Sequence, residues 1–179
     1  MAKRSQHDHD FDYYFICENC TDEFCCADPY FTFCARNEID KIKERVKDFP
    51  QKFHDFLDID TTTFQGREYE YYGFRKINGR CIFLKGRRLC LIHDVKPLHC
   101  RTYPLVWSYE EEGNKLFLYI DEDLNCLLTK ILSKNEDWIK TMKKVIITEV
   151  QQMAKVDLVA FASLESDDTL RMIDIHDLP

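Results

Sequence analysis

Long apolar runs are missing from this 179-residue chain, and so is any cluster of glycines. No stretch approaches the roughly 20 apolar residues that a membrane-crossing helix needs, so a membrane span is not expected. The opening MAKRSQHDHD carries a basic pair but lacks the apolar run of a secretory signal. The five glycines are dispersed, and none forms a Walker or dinucleotide pattern that could cradle phosphate. Arrangements for serine hydrolysis are absent, and the Cys-x3-Cys-x2-Cys spacing of radical S-adenosylmethionine chemistry does not occur. No internal repeat or low-complexity tract breaks the chain.

Cysteine, by contrast, is abundant: nine residues, eight of them in a pattern. They run Cys17-x2-Cys20-x4-Cys25-Cys26, then Cys81-x8-Cys90-x9-Cys100, then Cys126. A stapled secreted scaffold would be the ordinary reading of so many. Against it stand the odd count, the missing signal and an apolar content of 45%, enough to bury a core without covalent help. Reduced thiols and a cytoplasmic location are therefore expected. A Cys-x2-Cys turn lets two thiolates converge on one ion, and such pairs drawn from separate regions assemble zinc sites and iron–sulfur clusters. Consecutive side chains diverge, so Cys25 and Cys26 fit two neighbouring centres, or one ligand beside one exchange thiol. Cys34 belongs to no short-spaced pair and reads as a small buried hydrophobe.

Charge marks the same region. The whole chain has a formal net charge of −7, yet residues 75–101 hold eight Lys or Arg against Asp94 alone, a local +7 that leaves −14 elsewhere. Bound thiolates are anionic and benefit from nearby cations. Nucleic acid is a weak competing reading, because the stripe is short and its acidic surroundings repel phosphate.

The pattern along the chain predicts an α+β fold, with small antiparallel hairpins around a cysteine metal site, packed against N-terminal helices and a long C-terminal helix. Residues 1–12 read as a polar tail, 13–164 as one domain and 165–179 as an acidic tail. Ile39, Ile42, Val46 and Phe49 predict a helix over about 36–48, and Phe53, Phe56 and Leu57 a second short one. From Thr63 to His93 strands take over, with Asn78-Gly79 as a hairpin turn. Cys81 and Cys90 would lie on neighbouring strands bracketing one knuckle-like turn. Pro97 begins one or two helical turns that carry Cys100. Strands over VWSYE and KLFLYID follow, then a helix over about 124–132 with Cys126 near its start. Ser133 and Glu136 match a capping box opening a long helix with Ile139, Met142, Ile146, Val150 and Met153 on one face. His93 and His99 flank the middle cysteines and could each replace a thiolate, although enough cysteines exist without them. His7 and His9 read as part of the solvated tail.

The segments CENCTDEFCC, CIFL from Cys81 and CLIHDVKPLHCRTYP from Cys90 together resemble a small cysteine-cluster family of zinc- or iron-chelating proteins. Its pattern is Cys-x2-Cys, a Cys-Cys pair, C-P-F-L, a nearby cysteine and Y-x-x-R-P-x-x-C-R-x-Y-P. The resemblance spans about residues 17–126, and Cys126 resembles a further cysteine of many members. Ile82, His93 and Lys96 stand where proline, tyrosine and arginine are usual, and the lysine cannot form the arginine's bidentate fork. The resemblance implies metal held by Cys17, Cys20, Cys25, Cys26, Cys81, Cys90, Cys100 and Cys126. Nearly all-thiolate ligation and the vicinal pair put an iron–sulfur cluster ahead of zinc, with a protein or redox partner. A wider similarity to the cysteine region of flagellin lysine-N-methylases implies the alternative of a protein-modifying enzyme, with Arg101 and Tyr103 lining a cofactor pocket.

Overall fold

The computed structural model describes residues 26–27, 31–86, 89–122, 126–162 and 170–179. Helix α1, Arg36–Val46, buries Ile39, Ile42 and Val46 on one stripe. Its N-cap position is Ala35, whose side chain cannot cap. The Glu38 carboxylate reaches back instead and accepts from the Ala35 N–H at 3.0 Å. Pro50 then leads into a single 3-10 turn, Gln51–Phe53.

Four short antiparallel units follow. Strands β1, Leu57–Phe64, and β2, Arg67–Phe74, form a ribbon around Gln65-Gly66, both with positive φ. A second hairpin pairs β3, Lys76–Ile77, with β4, Arg80–Cys81, around Asn78-Gly79, also both at positive φ. That is the backbone demand that Asn-Gly satisfies. Strands β5, Leu84–Lys85, and β6, Leu89–Cys90, make a third. After helix α2, Leu98–Thr102, come β7, Leu105–Glu110, and β8, Lys115–Asp121. Helices α3, Leu127–Leu132, α4, Glu136–Val150, and α5, Lys155–Ala162, follow, and β9, Leu170–Asp177, closes the order. The last sheet runs β7-β8-β9, all antiparallel.

Alternation builds the main core. Leu105, Trp107 and Tyr109 on β7 and Leu116, Leu118 and Ile120 on β8 are all buried on one face of that sheet. Helix α5 packs against β7 and β2, and α4 against β7 and α2. The Phe161 ring sits 4.1 Å from Trp107 and 4.8 Å from Phe33, centroid to centroid. A second core gathers Cys34, Ile39, Ile42, Val46, Phe56, Phe74, Ile82, Phe83 and Ile92. The Phe83 ring lies at its heart, 5.1 Å from Phe74 and 5.4 Å from Phe56.

The α+β class with small antiparallel sheets is thus the observed one, and several local expectations change. Phe56 and Leu57 leave the short helix, and Leu57 opens β1. The predicted strand 80–84 divides: Ile82 and Phe83 both turn inward, 7% and 0% exposed, and break the ladder between β4 and β5. Cys81 and Cys90 are consequently not cross-strand partners. Cys81 pairs with Lys76, and Cys90 with Leu84. The long helix starts two residues past the expected cap: Asn135, not Ser133, accepts from the Trp138 N–H at 3.0 Å. Ser133 closes α3. Residues 165–179, expected as a tail, contain β9, which pairs along β8.

Candidate metal centre

Five of the eight sulfur positions fall within the described residues, while Cys17, Cys20 and Cys25 lie outside them, as does the expected tail 1–12. Among the described cysteines no two are joined in a disulfide. Cys26 is half-buried and precedes Ala27, which forms an isolated antiparallel bridge with Arg80. Stepping one residue along an antiparallel bridge, backwards on one chain and forwards on the other, leads from Ala27 and Arg80 to Cys26 and Cys81. Cys26 therefore approaches Cys81 at this bridge. Cys81 and Cys90 are half-buried against the second core. The Leu91 N–H donates to the Phe83 carbonyl at 2.9 Å, which fixes the turn between them.

Cys100 rides on α2, and that five-residue helix is tied at both ends. Its first N–H, from Leu98, donates to Glu38 Oε1 at 2.6 Å. Near its other end Arg101 donates from Nη1 and Nη2 to the two oxygens of Glu149 on α4, at 2.8 and 2.6 Å, and from Nε to the Lys96 carbonyl at 3.0 Å. Arg101 Nη2 is also 3.8 Å from Glu38 Oε1. Bidentate pairing of this kind fixes direction as well as distance. Burial pushes the Glu38 carboxyl pKa up, with the N–H bonds of Leu98 and Ala35 pulling the other way. Burial opposes the charge on Arg101, but its bonds to Glu149 and the carboxylates around it outweigh that, and its pKa rises. Glu149 moves down: burial would lift it, and Arg101 more than compensates.

Cys126 is buried at the N-cap of α3, where its carbonyl accepts from the Lys130 N–H at 3.1 Å. Tyr103 is also buried, and its hydroxyl donates to Asp121 Oδ2 at 2.7 Å. Burial raises that phenol strongly; the hydrogen bond and charge of Asp121 and the charge of Cys126 add to it, against a lowering contact from Thr129. Arg101 and Tyr103, the residues expected to line a cofactor pocket, thus turn their polar atoms to Glu149, Lys96 and Asp121.

His99, the neighbour of Cys100, packs edge-on against Phe161 at 5.4 Å between centroids. Burial brings its pKa down to about 4, a hydrogen bond with the Phe31 backbone opposing, so it is neutral at pH 7. His93 Nε2 lies 3.3 Å from Lys96 Nζ. Cys34 is fully enclosed; its thiol lies 3.8 Å from the Ala35 carbonyl, and burial, then the charges of Glu38 and Asp157, push its pKa well above the ordinary range.

Part of the basic stripe is neutralised in place. Arg75 pairs with Asp55 at 2.5 Å and with Asp58 at 3.1 Å, and Arg101 with Glu149. Nothing in the spacing of the cysteines points to Glu38. Only its position three residues after Ala35, at the place of a capping-box acid, gave a signal.

Among the described residues no three Cys, His, Asp or Glu side chains converge into a group that could hold an ion. The donor chemistry nevertheless fits a thiophilic metal. The described cysteines outside Cys34 are thiols drawn from five separate elements or loops, joined by no disulfide to one another, and the backbone bridge at Ala27 leads Cys26 to Cys81. Zinc and iron both accept such a set. Neither the curated proteins nor the solved structures contain a significant match. A family model does match, over residues 16–140, described as "putative zinc- or iron-chelating domain" and named CxxCxxCC. Against that name, the present Cys17-x2-Cys20-x4-Cys25-Cys26 carries two more residues before the vicinal pair. With most of its length inside the match, the chain belongs to the CxxCxxCC family of zinc- or iron-chelating domains.

Proposed function

We propose that this is a cytoplasmic metal-binding protein in which Cys17, Cys20, Cys25, Cys26, Cys81, Cys90, Cys100 and Cys126 hold an iron–sulfur cluster and serve a protein redox partner. The observation that carries the reading is the Ala27 bridge to Arg80, which runs the chain after the vicinal pair directly alongside the strand of Cys81. An ion-binding set drawn from both segments needs such an approach. The nearly all-thiolate donor set favours iron–sulfur over zinc, and an adjacent pair such as Cys25-Cys26 suits a centre with more than one metal atom. When bound, the cluster would supply one-electron chemistry. The chain's own residues hold the sulfurs and set the local field: Arg101 stands beside Cys100 with its charge maintained by Glu149.

The metal-holding reading takes precedence over a lysine-modifying enzyme because Arg101 and Tyr103 spend their polar atoms on interior partners. The test is anaerobic purification followed by elemental analysis. Brown protein with iron and acid-labile sulfide is the expected result. Colourless protein with stoichiometric zinc overturns the cluster and leaves a zinc-folded module. Protein that binds neither metal overturns the whole reading.

A further inference from the structure

Two carboxylates on different helices hold α2 from opposite ends, and Cys100 lies between the held points. Glu38, 5% exposed, spends one oxygen on the Ala35 N–H and the other on the Leu98 N–H, so a single buried side chain joins the start of α1 to the start of α2. Two residues along from Leu98 is Cys100, and the next residue, Arg101, is held in the fork of Glu149 and by the Lys96 carbonyl. Thr102 completes the arrangement by donating to the Leu98 carbonyl at 3.0 Å. A helix this short has little rigidity of its own. Its orientation is set by these side chains.

We infer that Glu38 and Arg101 are positioning residues for the metal centre, fixing the direction in which α2 presents the Cys100 sulfur. This rests on the reading of Cys100 as a ligand. Burying the Glu38 carboxylate is unfavourable in itself. What the carboxylate adds is direction: it meets both N–H groups at one point. Partners that orient metal ligands without touching the metal commonly govern affinity by about 10–100-fold.

The test uses the full chain, stripped of metal anaerobically and titrated with Co(II), whose thiolate charge-transfer and ligand-field bands report the number and arrangement of bound sulfurs. Glu38→Ala is expected to weaken Co(II) binding about 10–100-fold and to change the band pattern. Glu38→Gln still offers an oxygen to the Leu98 N–H and should recover a large part of the loss. Arg101→Lys keeps the charge, loses the fork, and should shift the spectrum in the same direction as Glu38→Ala. A purely structural role would lower the urea midpoint of the metal-free protein and leave the spectrum of the bound fraction unchanged, and that outcome overturns the inference. Wild-type affinity and spectrum in both Glu38→Ala and Arg101→Lys overturn it as well, as does failure of both to fold. Cys100→Ser separates the two levels: an unchanged spectrum there removes the ligand assignment itself, whereas a changed one beside silent Glu38 and Arg101 variants removes only the positioning.

Discussion

Replacing Cys34 with alanine should separate the fold from the metal and leave a signature in alkaline solution. The thiol is fully enclosed in the second core, beside Glu38 and Asp157, and its folded-state pKa is raised. In the unfolded chain it returns to about 8.5. Below that value both states carry the proton and the group contributes no pH dependence. Above it the unfolded state gives up the proton first, so the native state binds more protons and stability falls as pH rises. Integrating from about pH 8.5 to about pH 9.5, the wild type should lose about 1 kcal/mol through this one thiol. Cys34→Ala removes that loss at the expense of a small cavity, about 1 kcal/mol at neutral pH. Urea unfolding of metal-free protein across this range should show the two stability curves converging as the solution becomes alkaline. Curves that stay parallel would refute the reasoning, since the thiol would then titrate alike in both states. The same variant should bind its full complement of metal. If it lost as much as Cys81→Ser, the separation of Cys34 from the other eight would be wrong.

Phe83→Ala removes the central ring of the second core and should lower stability by about 3–5 kcal/mol in urea unfolding, with metal retention falling alongside because Cys81 and Cys90 pack on that core. At Gly73 an added Cβ would stand 2.2 Å from the outer edge of the Phe31 ring, an exposed side chain free to turn aside, so Gly73→Ala should cost less than about 1 kcal/mol, and the double variant with Phe31→Ala should cost less than the two changes summed if that contact is the cause. Tyr103→Phe takes one donor from the buried Asp121 carboxylate and should cost about 1–3 kcal/mol, visible as a lower thermal midpoint. Stripping metal with a chelator should destabilise the wild type, since ligand geometry is coupled to folding, and a melting curve unchanged by chelation would count against the metal reading.

Where local chemistry is decisive, the sequence foretold the structure closely. Asn78-Gly79 demanded its hairpin, and the alternation in VWSYE and KLFLYID named the strands whose inner residues make the main core. Elsewhere tertiary context decided. Strand β1 is mostly exposed, so LDIDTTTF has no apolar alternation to announce it. Helix α5 buries Leu158, Val159, Ala160 and Phe161 in succession, which leaves no helical stripe to detect. Strand β9 is an acidic segment on a sheet edge, and only its pairing with β8 makes it a strand. At the candidate site, spacing named the sulfurs but not what orients them. Glu38 and Glu149 are acids on charged helices, and their roles depend on α2 arriving between them.

The two apolar cores divide the cysteines: Cys81 and Cys90 lean on one, and Cys126 is built into the other. An inorganic centre gripping sulfurs from both would act as a rivet through two plates. Pulling it out would leave each plate intact while the seam between them loosened, so a protease added to demetallated protein should cut first near that seam and spare both interiors.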